Sequence, residues 1–263
     1  MISTQKYLKD PKITLVGAGP GDPDLISLKA LKAIRKADVI LYDALVSEEL
    51  LEYAPEHATK VYIGKRSDDQ SYSQDAVNKL MIDYALNYGH VVRLRSGDPF
   101  VFGKGFEELE YAASYSIPAE FIPGVSSAIS VPGLLGIPVT QQGISESFWV
   151  VKGTDANGEV SADLKAAAQS NATVVVLMGA DKLDEIAEVF KQAGKERLPA
   201  AVISNGSMDD EEIVVGVVNT IAESVQDRKL ESPSLIIFGE VVGLHPSFQP
   251  IRESYAFAEG LYA

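Results

Sequence analysis

The first half of this chain predicts an α/β fold, a parallel sheet wound with helices. Three observations carry that prediction. Short β-branched runs alternate with helical patterns, and glycine-rich or polar loops follow the strands. The alternation then breaks at Gly136-Ile137-Pro138-Val139-Thr140-Gln141-Gln142-Gly143, before a second set of strands begins. That break places a domain boundary at about Gln142, giving segments 1–142 and 143–263. At 263 residues, each segment has room for its own core.

The first strand, Ile13 to Val16, enters Gly17-Ala18-Gly19-Pro20-Gly21-Asp22-Pro23-Asp24. A dinucleotide fingerprint would need its third glycine where Asp22 stands. Pro20 and Pro23 bias the residues before them away from helical geometry, so the helix starts later, at the cap Ser27, and runs to Lys36. Strand Val39–Tyr42 ends at Asp43, and Ser47 caps a short helix through Tyr53. Strand Lys60–Ile63 leads into Gly64-Lys65-Arg66. Ser73 caps a helix whose apolar positions are Val77, Leu80, Met81, Tyr84 and Ala85, and Gly89 ends it. Next come strand His90–Leu94, the loop Ser96 to Gly105, helix Phe106–Ser114 and strand Ala119–Ile122. Pro123-Gly124-Val125-Ser126-Ser127 opens another helix.

The second segment predicts strands at Phe148–Lys152, Thr173–Met178, Ala200–Ser204, Glu212–Val218 and Leu235–Phe238. A helix spans Asp181–Gln192, Asp155–Gly158 is a loop, and Asn205-Gly206 is a turn. After Pro246 no pattern stands out.

Composition narrows the function classes. The net charge of −14 argues against a general nucleic-acid binder, which needs phosphate-neutralising surface. No apolar run is long enough to cross a bilayer, so no membrane partner is expected. Cysteine is absent, which excludes thiolate chemistry and suits a reducing cytoplasm. His57, His90 and His245 lack metal-ligand spacing, so no metal site is expected. Ser126-Ser127 has no esterase elbow around it, and no Walker lysine is present.

In an open parallel sheet, ligands sit outside the carboxyl ends of the strands. The loops there are Gly17–Asp24, Asp43–Leu45, Gly64–Arg66, Ser96–Gly105 and Gly124–Ser127. In the second such glycine loop, the carboxylate of Asp98 could hold an amine, a ribose hydroxyl or a cation; capping a turn is the more frequent job. Lys65, Arg66, Arg93, Arg95 and Lys104 cluster near these ends. Lys65 and Lys104, flanked by glycines, read as functional, and Arg93 reads as solvated surface charge.

Seven motifs recur together in order: Val16-Gly17-Ala18-Gly19-Pro20-Gly21-Asp22-Pro23, Leu41 to Ser47, Gly64-Lys65-Arg66, Gly97-Asp98-Pro99-Phe100-Val101-Phe102-Gly103, Pro123-Gly124-Val125-Ser126, Gly136 to Thr140, and Phe238-Gly239-Glu240-Val241-Val242. Over about Lys12 to Val242 the chain resembles the tetrapyrrole methylase family, most closely the members that act on uroporphyrinogen III. The resemblance implies two α/β domains, the N-terminal sheet parallel with helices and the C-terminal sheet mixed. It implies a homodimer with S-adenosylmethionine in the cleft between the domains and S-adenosylhomocysteine as product. The implied reaction methylates uroporphyrinogen III at C2 and C7 on the way to sirohaem or cobalamin.

By the same resemblance, Pro20, Ser96, Gly97, Asp98, Val101, Ser126, Ser127, Met178 and Gly206 are cofactor-binding residues. Asp43 matches a proton acceptor and Lys65 a proton donor, while Lys104, Glu107 and Gln142 match substrate-binding positions. Ser96 stands where the family usually has glycine, Lys104 where it often has arginine, and Gln141-Gln142 where it often has His-Arg. Arginine offers a planar fork for carboxylates that lysine and glutamine do not. No preceding dehydrogenase or ferrochelatase domain is present, so a monofunctional enzyme is expected. Other readings remain open: a methylase of a later corrinoid precursor, a nicotinamide-dependent oxidoreductase with Asp43 on a ribose, and a tetrapyrrole-binding module without turnover.

Overall fold

A computed structural model describes residues 10–64, 72–226, 228 and 232–249. The chain divides into two compact units, Met1–Ser126 and Ser127–Ala263.

The first unit contains β1 (Lys12–Gly17), α1 (Leu28–Ile34), β2 (Val39–Tyr42), β3 (Thr59–Tyr62), α2 (Gln74–Tyr88), β4 (His90–Arg95), α3 (Gly105–Ser114) and β5 (Ala119–Ile122). The sheet order is β3-β2-β4-β1-β5, and every pair is parallel. Both faces of the central strands are covered, which is why β1 and β2 read as largely apolar runs. Neighbours along a strand enter opposite cores. Ile40 and Val92 pack with Val16, Ile34 and Leu50 on one face. Leu41 and Val91 pack with Ile13, Met81 and Ala112 on the other.

Local signals set the helix ends. The Ser27 hydroxyl accepts the Ala30 N–H, and the Ser73 hydroxyl accepts the Ala76 N–H. Gly89, at φ 108°, ends α2 in a conformation that favours glycine. Ser47 precedes a helix as expected, but Glu48–Tyr53 is 3₁₀ and lacks a side-chain cap.

The second unit contains α4 (Ser127–Leu134), β6 (Phe148–Lys152), α5 (Asp163–Gln169), β7 (Thr173–Leu177), α6 (Leu183–Gln192), β8 (Pro199–Ser204), β9 (Glu212–Val217), α7 (Ile221–Gln226) and β10 (Ser234–Phe238). Its order is β6-β7-β10-β8-β9. β6 and β7 are parallel and the remaining pairs antiparallel, so this sheet is mixed. One face packs α5 and α6 through Leu164, Ile186 and Phe190, whose ring stacks on Phe238 with centroids 4.1 Å apart. The other face takes Ala128 and Val131 of α4 with Ile137, Val241 and Val242. By these contacts α4 belongs to the second unit, while the sequence break at Gln142 falls in an exposed loop beyond it, next to the Gln141–Ser145 bridge.

Candidate functional site

In the first unit, adjacent strands β1 and β4 send their chains to opposite faces. α1, after β1, places Ala30 and Ile34 in one core. α3, after β4, places Ala112 in the other. The loops leaving β1 and β4 therefore diverge at a topological switch point, the place where open α/β sheets bind ligands.

These two loops are joined backbone to backbone. Gly97 N–H donates to Gly19 O at 2.6 Å, and Gly19 N–H to Gly97 O at 3.3 Å. The loop after β5 joins them through Gly124. A Cβ on Gly17 would collide with backbone atoms of Gly124 and Gly97, and one on Gly124 would strike Gly97 and Gly17. Absent side chains let three loops converge on one spot.

Asp98 holds this arrangement together. Its Oδ1 accepts the Phe100 N–H at 2.8 Å, the turn-capping role, and its Oδ2 accepts the Gly124 N–H at 3.1 Å. The Phe100 ring stacks on Phe121 at 4.0 Å, anchoring the stretch that carries Val101, which is exposed. Pro20, Ser96, Gly97 and Ser126 are all half-buried on these loops. Asp22 caps the 3₁₀ turn that follows, accepting the Asp24 N–H.

Beside the loops lies a charged network. Asp43, just past β2, accepts from Arg93 Nη2 at 2.7 Å through Oδ1, and its Oδ2 lies 3.6 Å from Arg95 Nε. Glu108 of α3 accepts from Arg95 Nη1 at 2.8 Å, Gln74 Nε2 at 3.1 Å and Arg93 Nε at 3.4 Å, all through Oε1. The Arg93 side chain is 3% exposed and that of Glu108 is 1% exposed. The expectation of a solvated Arg93 is therefore corrected. β4 is a central strand, and the Arg93 guanidinium is buried between two carboxylates.

Lys104 and Glu107 are exposed at the start of α3, and Gln142 is exposed in the second unit. Lys65 lies outside the described residues. In the second unit, Ser127 opens α4. Met178, just past the end of β7, has φ 54°, uncommon for a residue with a side chain. It is 48% exposed. Gly206 follows β8, where a Cβ would run into the Val131 side chain. Since β7 and β8 both run antiparallel to β10, Met178 and Gly206 stand at the same end of this sheet. Among the described residues, no group of three or more His, Cys, Asp or Glu could hold a metal ion, and no helix is long and apolar enough to cross a membrane.

The charged network that the sequence did not reveal is Arg93, Arg95 and Glu108 as a set. One signal was available. Gly105, Glu108 and Ala112 fall at helical spacing on the buried face of α3, so Glu108 points inward where Glu107 points out.

The family model for Tetrapyrrole (Corrin/Porphyrin) Methylases matches residues 12–222. The chain belongs to the tetrapyrrole methylase family. Among the methylases it resembles, the uroporphyrinogen-III C-methyltransferase of Methanocaldococcus jannaschii is 41% identical over 235 residues, 89% of this chain and 97% of that one. The Bacillus subtilis uroporphyrinogen-III C-methyltransferase is 42% identical over 236 residues, 89% of this chain and 92% of that one. The uroporphyrin-III C-methyl transferase of Thermus thermophilus, crystallised with S-adenyl homocysteine, superposes with a TM-score of 0.76 at 36% identity, over 89% of this chain and 99% of that one. The parallel and mixed sheets are those of this methylase fold.

Proposed function

We infer that this chain is an S-adenosylmethionine-dependent C-methyltransferase that converts uroporphyrinogen III to precorrin-2 by methylation at C2 and C7. The observation that carries the reading is the convergence of Gly17, Gly97 and Gly124 at the switch point, in a chain 41% identical to a uroporphyrinogen-III C-methyltransferase across nearly its full length. Gly17 and Gly124 let the three loops pack backbone to backbone, and loops so joined fit a ligand recognised through their backbone groups. By family resemblance the cofactor-binding residues are Pro20, Ser96, Gly97, Asp98, Val101 and Ser126 in the first unit, and Ser127, Met178 and Gly206 in the second.

The cofactor, when bound, supplies a methyl group already activated on a sulfonium, so the protein needs no nucleophile of its own. What the chain supplies is alignment and proton handling. Asp43 accepts the proton lost as the pyrrole carbon becomes nucleophilic. Its Oδ1 is held by Arg93 at 2.7 Å, which leaves Oδ2, 3.6 Å from Arg95 Nε, for that task. Lys65 serves as proton donor. Lys104, Glu107 and Gln142 face the substrate, whose carboxylates suit Lys104 and the amide of Gln142. The same reading carries a homodimer in the cytoplasm, in keeping with a chain that lacks cysteine.

Thermal unfolding with and without ligand tests the cofactor assignment. S-adenosylhomocysteine at a hundred times its Kd should stabilise the protein by about 2.7 kcal/mol. NAD should leave the midpoint unchanged; the reverse pattern would favour the oxidoreductase reading and overturn this one. Asp43→Asn should lower kcat without weakening S-adenosylhomocysteine binding. Equal losses in both would remove Asp43 from the proton-acceptor role.

A further inference from the structure

We propose that Glu108 is a positioning residue for Asp43, acting through the guanidiniums of Arg93 and Arg95. This rests on the reading of Asp43 as proton acceptor. The Arg93 fork is pinned at three corners: Nε to Glu108 Oε1 at 3.4 Å, Nη1 to Leu94 O at 3.1 Å and Nη2 to Asp43 Oδ1 at 2.7 Å. One Asp43 oxygen is thereby fixed in place.

Arg95 is held differently. Glu108 takes its Nη1 at 2.8 Å, and its Nε stays 3.6 Å from Asp43 Oδ2, longer than a hydrogen bond. The Asp43 side chain is 25% exposed, so its carboxylate is partly open to solvent. Two guanidiniums are shared between two carboxylates, and the four charges balance. With the charge of Glu108 gone, both guanidiniums have one carboxylate left to neutralise. Arg95 then closes on Oδ2 and occupies the oxygen that must take the proton. Glu108 thus keeps Arg95 off the acceptor while its bond to Arg93 Nε keeps Asp43 aimed.

A second feature makes this testable without reshaping the site. Glu108 Oε2 is buried and, among the described residues, has no hydrogen-bond partner, while Oε1 takes all three donors. In Glu108→Gln the neutral carbonyl holds those donors more weakly than the carboxylate, which frees Arg95 to move, and the NH₂ group takes the place of the unpartnered oxygen. The charge is lost while the side-chain size is kept.

The full-length chain carrying Glu108→Gln should be assayed with uroporphyrinogen III and labelled S-adenosylmethionine. We expect kcat to fall at least about tenfold, roughly 1.4 kcal/mol of transition-state stabilisation. KM for the porphyrinogen and Kd for S-adenosylhomocysteine should stay within about twofold, because the glycine loops are untouched. In an Asp43→Asn background, Glu108→Gln should have almost no further effect on the residual rate. Should Glu108→Gln not fold, Glu108→Asp keeps the charge but withdraws it by one methylene, and the same kcat loss at constant KM is expected. An unchanged kcat, or an equal loss of kcat with and without Asp43, overturns the inference. If Asp43→Asn itself turns over normally, the proton-acceptor reading fails instead, and the two failures are told apart.

Discussion

Gly124→Ala puts one methyl group into the meeting point of three loops. The new Cβ would lie 2.7 Å from Gly17 Cα and 2.8 Å from Gly17 C, and closer still to Gly97 O. Carbon atoms rest at about 3.5 Å. The β1 and β5 loops must therefore part by about 0.8 Å, and every atom in the way is backbone, so no side chain can rotate aside. Overpacking of this kind costs about 1–3 kcal/mol. The displacement also stretches the 3.1 Å bond from Gly124 N–H to Asp98, which fixes the β4 loop. Calorimetric titration with S-adenosylhomocysteine should show affinity at least about tenfold weaker, equivalent to about 1.4 kcal/mol. Thermal unfolding should fall by several degrees. Gly133→Ala is the control: nothing lies within 4 Å of its Cβ, and it sits inside α4. That change should leave binding intact and raise stability by up to about 1 kcal/mol. If Gly124→Ala bound S-adenosylhomocysteine as tightly as the parent, the glycine convergence would not be the cofactor cradle.

Arg93→Met should cost about 3–5 kcal/mol, because it leaves two carboxylates facing one guanidinium in a buried network. Urea unfolding would then shift by 1 M or more for a slope of about 1–3 kcal/mol/M; a shift near zero would show that the network contributes nothing to folding. Burial pushes the His90 imidazole below its ordinary value, outweighing the opposing pull of the Lys36 carbonyl. The ring donates from Nδ1 to Lys36 O at 3.0 Å and meets Thr14 Oγ1 at 2.8 Å through Nε2, which suits the neutral form. Its contribution to stability is full above the unfolded histidine value of about 6.5 and is lost as pH falls from there toward the lower folded value. Unfolding free energy should therefore drop as pH falls below the ordinary histidine value of about 6.5, and His90→Gln should flatten part of that slope; an unchanged slope would refute the assignment.

How far the chain can be read without coordinates depends on where the information is stored. Strands Ala119–Ile122 and Phe148–Lys152 have the predicted ends, and Ser27, Ser73 and Gly89 cap as expected, because these signals are local. α5 was not legible: Asp163 to Gln169 buries only Leu164, Ala167 and Ala168, too small an apolar face to show against its polar residues. α7, six residues long, gave no periodicity to count. The glycine loops were visible as motifs, but their convergence required the strand order. Arg93 was misread for the same reason. An arginine in a β-run looks like surface charge until pairing with β1 and β2 puts its strand in the middle of the sheet. Glu107 was selected by family resemblance, whereas the inward position one residue on belongs to Glu108.

Methyl transfer itself is read by anaerobic incubation of the purified chain with uroporphyrinogen III and S-adenosylmethionine labelled in its methyl group. Two labelled methyl groups should appear on the macrocycle, at C2 and C7, with formation strongly slowed in Asp43→Asn. A protein that binds S-adenosylhomocysteine tightly yet leaves the porphyrinogen unlabelled would contradict the methyltransferase reading.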